Sequence, residues 1–386
     1  MLEGFNFVLS VLVGLLLLVL LVVLHELGHA IAARRNGVVV EEFGIGFPPR
    51  AWARKLKSGV LFTVNWLPLG GYVKLQGEHD AANKKGDYGA SSLWVKTKIL
   101  LAGVFINWAT AALIFTGLAL TGLPKVIDNQ FTVQSDTTEI RKPVTIVRVG
   151  NDSPAEKAGL NVGDQIVRFA GQPLEEPTDL SALTKQYKGK SVEVIYNRGG
   201  SEEIVRVTLR TDDESNKGYF GVSADQRTTY RSTWSAPIVG VALTGQLTQV
   251  TMQGLGDMLA KLGTGIVDKL NPSDSSQRSA NDKLGEVGEG VAGPLAILGI
   301  LFPSAREAGL SALLFMTALI SLALAIMNIL PIPALDGGRW FVTMAFRLLK
   351  KPLSKELEEK IHGTGFLVLM ALFVLVTIAD VSKFGR

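Results

Sequence analysis

Four long apolar stretches run through the chain, near residues 5–33, 99–123, 308–332 and 364–380. Since an α-helix rises about 1.5 Å per residue, roughly 20 apolar residues cross the hydrocarbon core of a bilayer. The pattern therefore predicts four transmembrane helices. The first apolar run exceeds the ~7–15 residues of a signal-peptide core, so it is interpreted as a retained span.

The segment between the second and third spans has a different pattern, in which short alternating runs are separated by turn residues. Residues 145–174 predict a strand, a short helix with its N-cap at Ser153, and a second strand. Residues 192–209 predict a hairpin, and GYFGV at 218–222 resembles the carboxylate-binding loop of PDZ domains. Because that loop follows the core helix, we assign a circularly permuted PDZ domain to residues 124–228.

Residues 229–304 alternate between apolar and polar stretches. Residues 236–268 predict a helix at the membrane interface, and residues 271–282 a polar linker. The stretch 288–302 is apolar but too short to span, so both packing and a re-entrant loop fit it.

The connection after the first span contains VLFTVNWLPLGGYVKL, residues 60–75. Its alternating apolar residues, followed by Gly70 and Gly71, predict a β-hairpin that turns at the two glycines. An exposed edge of this hairpin could pair with an extended substrate backbone. A surface hairpin that only packs on the core is the alternative.

Composition supports a membrane protein and narrows its chemistry. Of 386 residues, 47% are hydrophobic and 19% charged, with mean hydropathy +0.28; soluble domains carry about 25% charged residues. The net charge is +4, but the basic residues form no dense stripe, so nucleic acid is not an expected partner. There are no cysteines, so a metal must bind histidine or carboxylate.

Basic residues flank the spans unevenly, which predicts the orientation in the membrane. The first and third connections are expected to be cytoplasmic, whereas residues 124–300 and both chain ends face outward. The residues concerned are Arg34, Arg35, Arg50, Arg54, Lys55, Lys57, Lys74, Lys96, Lys98, Arg339, Arg347, Lys350 and Lys351.

The sequence HELGH ends the first apolar run and contains His25, Glu26 and His29. Residues four apart lie on one face of a helix, so the two imidazoles can hold one metal ion. This is the HExxH arrangement, in which zinc binds both histidines and the glutamate is general base for water. Two histidines hydrogen-bonded inside a helical bundle are the alternative.

Catalytic zinc usually takes a third protein ligand, and Asp336 is the preferred candidate. It follows the third span in NILPIPALDGGR, where Pro331 and Pro333 should break the helix and turn its end toward the first span. A helix cap, or a pair with Arg339, is the alternative for Asp336. His79 and His362 lie in polar surroundings, where a solvated role is expected.

These features resemble the site-2 protease family of intramembrane zinc metalloproteases, peptidase family M50, in its bacterial RseP-type branch. The resemblance rests on HELGH in a first span, NILPIPALDGG after a later one, and the PDZ-like insertion. It implies one zinc ion per chain held by His25, His29 and Asp336, with Glu26 as the catalytic base. It further implies that Asn328 holds the substrate backbone or the developing oxyanion.

The resemblance also implies a polytopic α-helical membrane protein with four spans, a membrane-associated β-hairpin and the inserted α+β domain. The hairpin would be re-entrant on the cytoplasmic side, at about 43–77, with Gly70 and Gly71 against the substrate. Gly293 and Pro294 match the family's GP motif near the substrate entrance. The implied divisions are residues 1–123, 124–228, 229–304 and 305–386.

The function implied is hydrolysis of peptide bonds within the transmembrane segments of single-pass membrane proteins, after a first cleavage outside. Expected substrates are anti-sigma factor-like proteins in stress-response signalling or remnant signal peptides, in the bacterial cytoplasmic (inner) membrane. The active site would lie near the cytoplasmic side. The PDZ domain, on the outer side, would exclude bulky substrates or capture a C-terminal tail.

Three alternatives stay open at this point. A membrane-anchored PDZ scaffold without proteolytic activity leaves HELGH without a role, and a zinc transporter does not need Glu26. A metalloprotease of non-transmembrane substrates should carry HExxH outside the bilayer. The sequence specifies no oligomeric state.

Overall fold

The computed structural model describes residues 2–212, 218–271, 273–290 and 293–384. The chain divides into two compact units, one formed by Met1–Leu118 and Pro237–Arg386 and the other by Ala119–Ala236. The second unit encloses the interval 124–228 that the sequence pattern assigns to a separate domain.

Helices and strands are numbered along the chain. The helices are α1 (Leu2–Arg35), α2 (Leu93–Leu100), α3 (Ala102–Thr121), α4 (Pro154–Lys157), α5 (Pro177–Gln186), α6 (Ala236–Leu270), α7 (Asp274–Gly290), α8 (Pro294–Ala296), α9 (Phe302–Glu307), α10 (Leu310–Ile329), α11 (Asp336–Leu348) and α12 (Lys355–Phe384), and a π-helical segment (Ile297–Leu301) joins α8 to α9. The strands are β1 (Val40–Lys55), β2 (Leu61–Leu75), β3 (Leu123–Pro124), β4 (Thr138–Arg141), β5 (Val144–Val149), β6 (Gln165–Phe169), β7 (Gln172–Pro173), β8 (Ser191–Arg198), β9 (Ser201–Thr208), β10 (Val222–Asp225) and β11 (Thr228–Arg231).

Four helical stretches of the described chain are long and apolar enough to cross a membrane: Gly4–Arg35, Leu93–Thr121, Leu310–Ile329 and Lys355–Val381. They overlap the four apolar runs and confirm that the chain has four candidate spans. In Lys355–Val381 only 6% of the apolar window is buried within the protein. Apolar helices with such exposed surfaces need lipid to cover them.

The first unit also contains a sheet made of β1 and β2, and both strands bend. Gly44 of β1 lies opposite both Tyr72 and Thr63 of β2, so the first half of β1 lies between the two halves of β2. The second half of β1 pairs with the first half of β2, with Trp52 opposite Val64. The segment 71–75, which pairs with β1 alone, therefore forms one edge of the sheet.

This pairing corrects the hairpin predicted within residues 60–75. The two halves of β2 do not pair with each other across Gly70 and Gly71, because residues 40–45 lie between them. Gly70 has φ +88°, a left-handed conformation that favours glycine, and it marks a bend within the strand rather than a hairpin turn. The alternation of apolar and polar residues identifies β2 as a strand. The strand with which it pairs, β1, lies outside residues 60–75 and cannot be found from them.

The second unit is built around a sheet with the order β10-β5-β6-β8-β9, and β7 pairs with β6. A smaller sheet has the order β3-β11-β4. Burying the core side chains supplies the stabilisation that holds this unit together. Its core includes Ile146, Ile166, Phe169, Val194, Val207 and Phe220.

Local predictions within this unit are confirmed. The Ser153 hydroxyl accepts a hydrogen bond from the Glu156 amide at 3.0 Å and caps α4. β8 and β9 form the expected hairpin, and its two turn glycines, Gly199 and Gly200, have φ +61° and +93°. GYFGV leads into β10, whose only described strand partner is β5.

The prediction of a polar linker at 271–282 is wrong, because most of these residues belong to helix α7. Polar contacts hold this helix against α6: Lys283 pairs with Asp268 at 2.8 Å, and Lys261 with Glu286 at 2.6 Å. Such exposed pairs are individually weak, at about 0–1 kcal/mol, but they align along the two helices. A polar composition alone does not distinguish a linker from a solvated helix.

Within the apolar stretch at 288–302, residues 288–290 end α7, and residues 294–302 form short helical segments that lead into α9, which packs against α1. A Cβ at Gly14 would lie 2.6 Å from the ring of Phe302, which shows how closely the two elements approach. The Arg306 guanidinium donates to the Asn6 carbonyl at 3.0 Å. The described end of this stretch therefore packs on a neighbouring helix, whereas the re-entrant loop stays a prediction.

Candidate active site

Three side chains from distant parts of the sequence converge in the first unit. His25 Nε2 lies 3.0 Å from Asp336 Oδ2, His29 Nε2 lies 3.2 Å from the same oxygen, and the two Nε2 atoms are 3.1 Å apart. Both histidines are buried. Among the described residues this is the group of histidines and carboxylates arranged to hold a metal ion.

The geometry of this group fits zinc. Zinc binds histidine nitrogen and carboxylate oxygen at about 2.0–2.2 Å in a tetrahedron, so neighbouring ligand atoms are about 3.3 Å apart. The three observed separations, 3.0, 3.1 and 3.2 Å, are close to that spacing. Three protein ligands leave the fourth position for water, as in catalytic sites. Glu26 is not in the group, which fits a base rather than a ligand.

The backbone next to α2 orients the second histidine. His29 Nδ1 lies 2.7 Å from the carbonyl oxygen of Ile99, an atom that can only accept a hydrogen bond. Nδ1 must therefore carry the proton, which leaves the Nε2 lone pair directed at Asp336. Ile99 lies just before Leu101, where α2 ends and α3 begins. The helix is thus interrupted at Leu101, close to the carbonyl that orients His29.

Helix α3 approaches the two imidazoles through a glycine. A Cβ at Gly103 would overlap His29 Nε2 and would lie 2.6 Å from His25 Cε1. A Cβ at Gly28 of α1 would in turn lie 2.8 Å from the Ala102 carbonyl. The glycine therefore brings the backbone of α3 against the histidine pair.

Asp336 begins α11 after a sharp turn. Ala334 has φ +82°, and Gly337 and Gly338 lie so close to the carbonyls of residues 329 and 332 that no side chain fits. Arg339 does not pair with Asp336, because its guanidinium donates to the Glu78 carboxylate at 2.6 Å and to the Glu78 carbonyl at 3.1 Å. The alternative of an Asp336–Arg339 pair is therefore wrong.

The two remaining histidines have other partners. His79 lies 3.5 Å from the Glu359 carboxylate. His362 is half-buried, and its Nδ1 accepts a hydrogen bond from the Ala334 amide at 3.3 Å. The solvated role expected for His362 is thus wrong, since this side chain holds the loop that leads to Asp336. Neither residue belongs to the metal-binding group.

The edge of the β1–β2 sheet lies directly against helix α1 near Glu26. A Cβ at Gly71 would lie 3.2 Å from Glu26 Cγ and 3.3 Å from a methyl group of Val22. Any larger residue at this position would push the sheet away from α1. Of the two glycines predicted to contact substrate, Gly71 is beside the glutamate, and Gly70 packs against the ring of Phe47.

A buried carboxylate holds this sheet together. Glu42 accepts hydrogen bonds from the Tyr72 hydroxyl at 2.5 Å, from the Thr63 hydroxyl at 3.1 Å, and from the Arg50 guanidinium at 2.9 and 2.8 Å. Burial alone would raise the pKa of Glu42, but these hydrogen bonds and the positive charge of Arg50 keep it below its ordinary value. Because Tyr72 follows Gly71, this cluster also fixes the sheet edge beside Glu26.

We expect Glu42→Gln to loosen residues 61–75, because hydrogen bonds to a charged group contribute about 1.5–3 kcal/mol. Amide hydrogen exchange of these residues in the full-length protein should then increase by about tenfold or more. The depressed pKa means that the stabilisation is complete above the unfolded value of about 4.3 and is lost as the pH falls through the lower folded value. The matched control is Glu41→Gln, because Glu41 is exposed and pairs with Lys74 at the surface. Equal exchange in the two variants would contradict the role of the cluster.

The hydrogen bonds of Asn328 and of the GP motif go to residues other than His25 and His29. The Asn328 amide donates to the Leu324 carbonyl of its own helix at 3.0 Å. Gly293 precedes α8, and its amide donates to the buried Asp380 carboxylate of α12 at 3.1 Å. The Ala296 amide donates to the same carboxylate at 3.0 Å. Asp380 thus caps the segment that starts at Pro294, a link the sequence did not reveal.

Replacement of Gly293 by alanine should separate this segment from α12. A Cβ there would overlap the Asp380 carboxylate and lie 2.6 Å from Val376. Overpacking costs about 1–3 kcal/mol, so we expect the unfolding midpoint of the detergent-solubilised protein to fall by several degrees. Gly285→Ala is the control, since a Cβ at Gly285 meets no described atom within 4 Å. A midpoint unchanged in both variants would contradict the close contact.

Comparison with known proteins places this arrangement in a family. A profile of peptidase family M50 matches residues 13–372. RasP, a zinc metalloprotease of Shouchella clausii, is 25% identical over 446 aligned positions, which cover 94% of this chain and 96% of the relative. A protein of Clostridium perfringens, named as a candidate zinc metalloprotease, is 28% identical over 361 positions, covering 94% of this chain and 95% of the relative.

Among solved structures, the PDZ domain of an SdrC-like protein from Listeria monocytogenes is 25% identical and aligns with 21% of this chain and 86% of its own length, with a TM-score of 0.19. The M50 profile, in contrast, extends from the first candidate span into the fourth and includes both HELGH and LDGG. The chain therefore belongs to peptidase family M50.

Proposed function

We propose that this M50 zinc metalloprotease hydrolyses peptide bonds inside the transmembrane segments of single-pass membrane proteins. The observation that carries the proposal is that His25 and His29, which lie on a helix that is itself a candidate span, meet Asp336 from the start of α11. Charged and ionisable groups within a span are costly and rarely lack a function. Their convergence at zinc-ligand spacing supports a catalytic centre within the membrane.

The residues of the chain have distinct roles in this reaction. His25, His29 and Asp336 would hold the zinc ion, which when bound would act as a Lewis acid that polarises a peptide carbonyl and makes water easier to deprotonate. Glu26 takes a proton from the attacking water and delivers it to the nitrogen of the leaving peptide. Asn328 would hold the substrate carbonyl after its side chain turns away from Leu324, to which it is now bonded.

A substrate helix must be unwound before its carbonyls can be attacked. Among the described residues the edge segment 71–75 pairs with β1 alone, and Gly71 lies beside Glu26, so an extended substrate can add to the sheet as a further strand. Backbone hydrogen bonds along this edge would replace those lost from the substrate helix. Gly71 keeps the edge close enough to Glu26 for the cut to occur there.

Water also needs a route to the centre. A cavity of about 510 Å³ includes Ala334, two residues before Asp336, and its walls carry Glu78, Arg339 and Glu358. The charged side chains in its wall can hold water there, which supports hydrolysis below the membrane surface. We place this side toward the cytoplasm, because the basic residues cluster in the connections there.

The second unit is proposed to be a PDZ domain on the outer side. A groove of about 330 Å³ runs between α5 and the strand β10, where peptide ligands add to such domains. We propose that the domain acts mainly as a size filter, so that substrates are cut only after their outer domain has been removed. Anti-sigma factor-like proteins and remnant signal peptides meet that requirement.

The proposal is tested by placing the purified full-length protein in liposomes with a single-pass protein that lacks its outer domain. We expect fragments whose new ends, mapped by mass spectrometry, lie within the substrate span. A zinc chelator should stop the reaction, and added zinc should restore it. His29→Ala should be inactive, whereas His79→Ala should retain activity, because His79 lies outside the metal-binding group.

Each alternative function gives a different result in this assay. A protease of soluble substrates would cut only outside the span, and a scaffold would bind the substrate without cutting it. Cleavage that is independent of zinc and of His29 would overturn the proposal.

A further inference from the structure

We infer that Asn107 is a positioning residue that fixes the orientation and tautomer of His25. Asn107 lies on α3 and is completely buried. Its amide nitrogen is placed 3.3 Å from His25 Nδ1. The inference rests on the proposed zinc site, because it concerns the nitrogen of His25 that faces away from the other two ligands.

The two histidines need the same tautomer to serve the same ion. The Ile99 carbonyl fixes the tautomer of His29, because it accepts a hydrogen bond from Nδ1 at 2.7 Å. His25 has its Nε2 in the metal-binding group, so its Nδ1 must likewise carry a proton and needs an acceptor. The Asn107 side chain is the polar group next to that nitrogen.

The side-chain amide of Asn107 can supply this acceptor if it rotates so that its oxygen faces His25. The oxygen and nitrogen of an amide side chain exchange places on rotation by about 180°. Asn107 Oδ1 is buried and has no hydrogen-bond partner among the described residues, so no bond holds it in its present place. With the oxygen turned toward His25, Nδ1 donates to it and Nε2 keeps a free lone pair for zinc.

The backbone around Asn107 is already fixed, which makes the side chain a rigid support. The Ser321 hydroxyl of α10 donates to the Asn107 carbonyl at 2.8 Å. Gly103, one helical turn earlier, leaves the space in which both imidazoles lie. Residues four apart share a helix face, so Gly103 and Asn107 act on the histidine pair from the same side.

The test is the zinc affinity of the purified full-length protein, measured by competition with a chromophoric chelator. We expect Asn107→Leu, which has similar volume but no acceptor, to lower the affinity by about 10- to 100-fold, the usual effect of losing such a partner. Asn107→Asp keeps an oxygen acceptor and should bind zinc within about threefold of wild type. Gly117→Ala, elsewhere on α3, adds a methyl group that meets no described atom within 4 Å, so its affinity should not change.

The outcomes separate this inference from the function it rests on. Zinc affinity in Asn107→Leu equal to wild type, or an equal loss in Asn107→Asp, would overturn the role of Asn107 alone. A wild-type protein that binds no zinc would overturn the proposed function together with this inference. If Asn107→Leu does not fold, retention by Asn107→Asp and loss by Asn107→Ser, whose shorter side chain does not reach Nδ1, still decide the question.

Discussion

Replacement of Glu26 by glutamine should abolish proteolysis while the protein keeps its zinc. Glutamine has nearly the same shape but cannot accept the proton of the attacking water, and general base catalysis contributes about 10²- to 10⁴-fold in rate. The metal should stay because Glu26 lies outside the group formed by His25, His29 and Asp336. Cleavage of a truncated single-pass substrate and zinc content should be measured on the same preparation.

Glu307→Gln is a suitable control for the loss of one negative charge. Glu307 is exposed and ends α9, and it is not one of the metal-binding residues. This variant should cleave at the wild-type rate. Two results would contradict the assignment of Glu26 as base: activity within about tenfold of wild type in Glu26→Gln, or loss of zinc in that variant.

Replacement of Gly103 by alanine should have the second largest effect, and its sign is opposite to that expected from helix propensity. Alanine is favoured over glycine within a helix by about 1 kcal/mol, so a change judged by sequence alone should stabilise α3. The added methyl group would instead overlap His29 Nε2 and lie 2.7 Å from His25 Nδ1. Since a displacement of about 1 Å at a catalytic site can cost 10²-fold, we expect a comparable loss of activity, together with weaker zinc binding.

Gly117→Ala in the same helix is the matched control. A Cβ at Gly117 meets no described atom within 4 Å, so this change should leave zinc affinity and cleavage unchanged and slightly raise the unfolding midpoint. Equal behaviour of the two alanine variants would show that the contact between α3 and the imidazoles is looser than in the structure.

Some features of the site could be predicted because their cause is local. His25 and His29 are four residues apart on one helix, so their shared face follows from the helical repeat alone. The four apolar runs and the cap at Ser153 likewise depend on residues within a short window. In the same way, the two glycines between β8 and β9 identified that hairpin.

Other features depend on contacts across the chain. Asp336 is 311 residues from His25, and the motif LDGG only suggested that the two meet. The pairing of the two halves of β2 with residues 40–45, the Glu42 cluster and the cap on α8 by Asp380 all require a distant partner. The polar residues of α7 predict a linker, because this helix is held by ion pairs to α6 rather than by an apolar stripe of its own.

The sequence by itself determined the membrane character of the chain, the helix that carries HELGH, and the exclusion of cysteine chemistry, because composition and short-range periodicity are sufficient for each. Only the tertiary structure decided that Gly71 places a sheet edge beside Glu26 and that Gly103 and Asn107 face the histidines. Those relations depend on which surfaces pack together, and packing is settled by the fit of side chains that lie far apart in the chain.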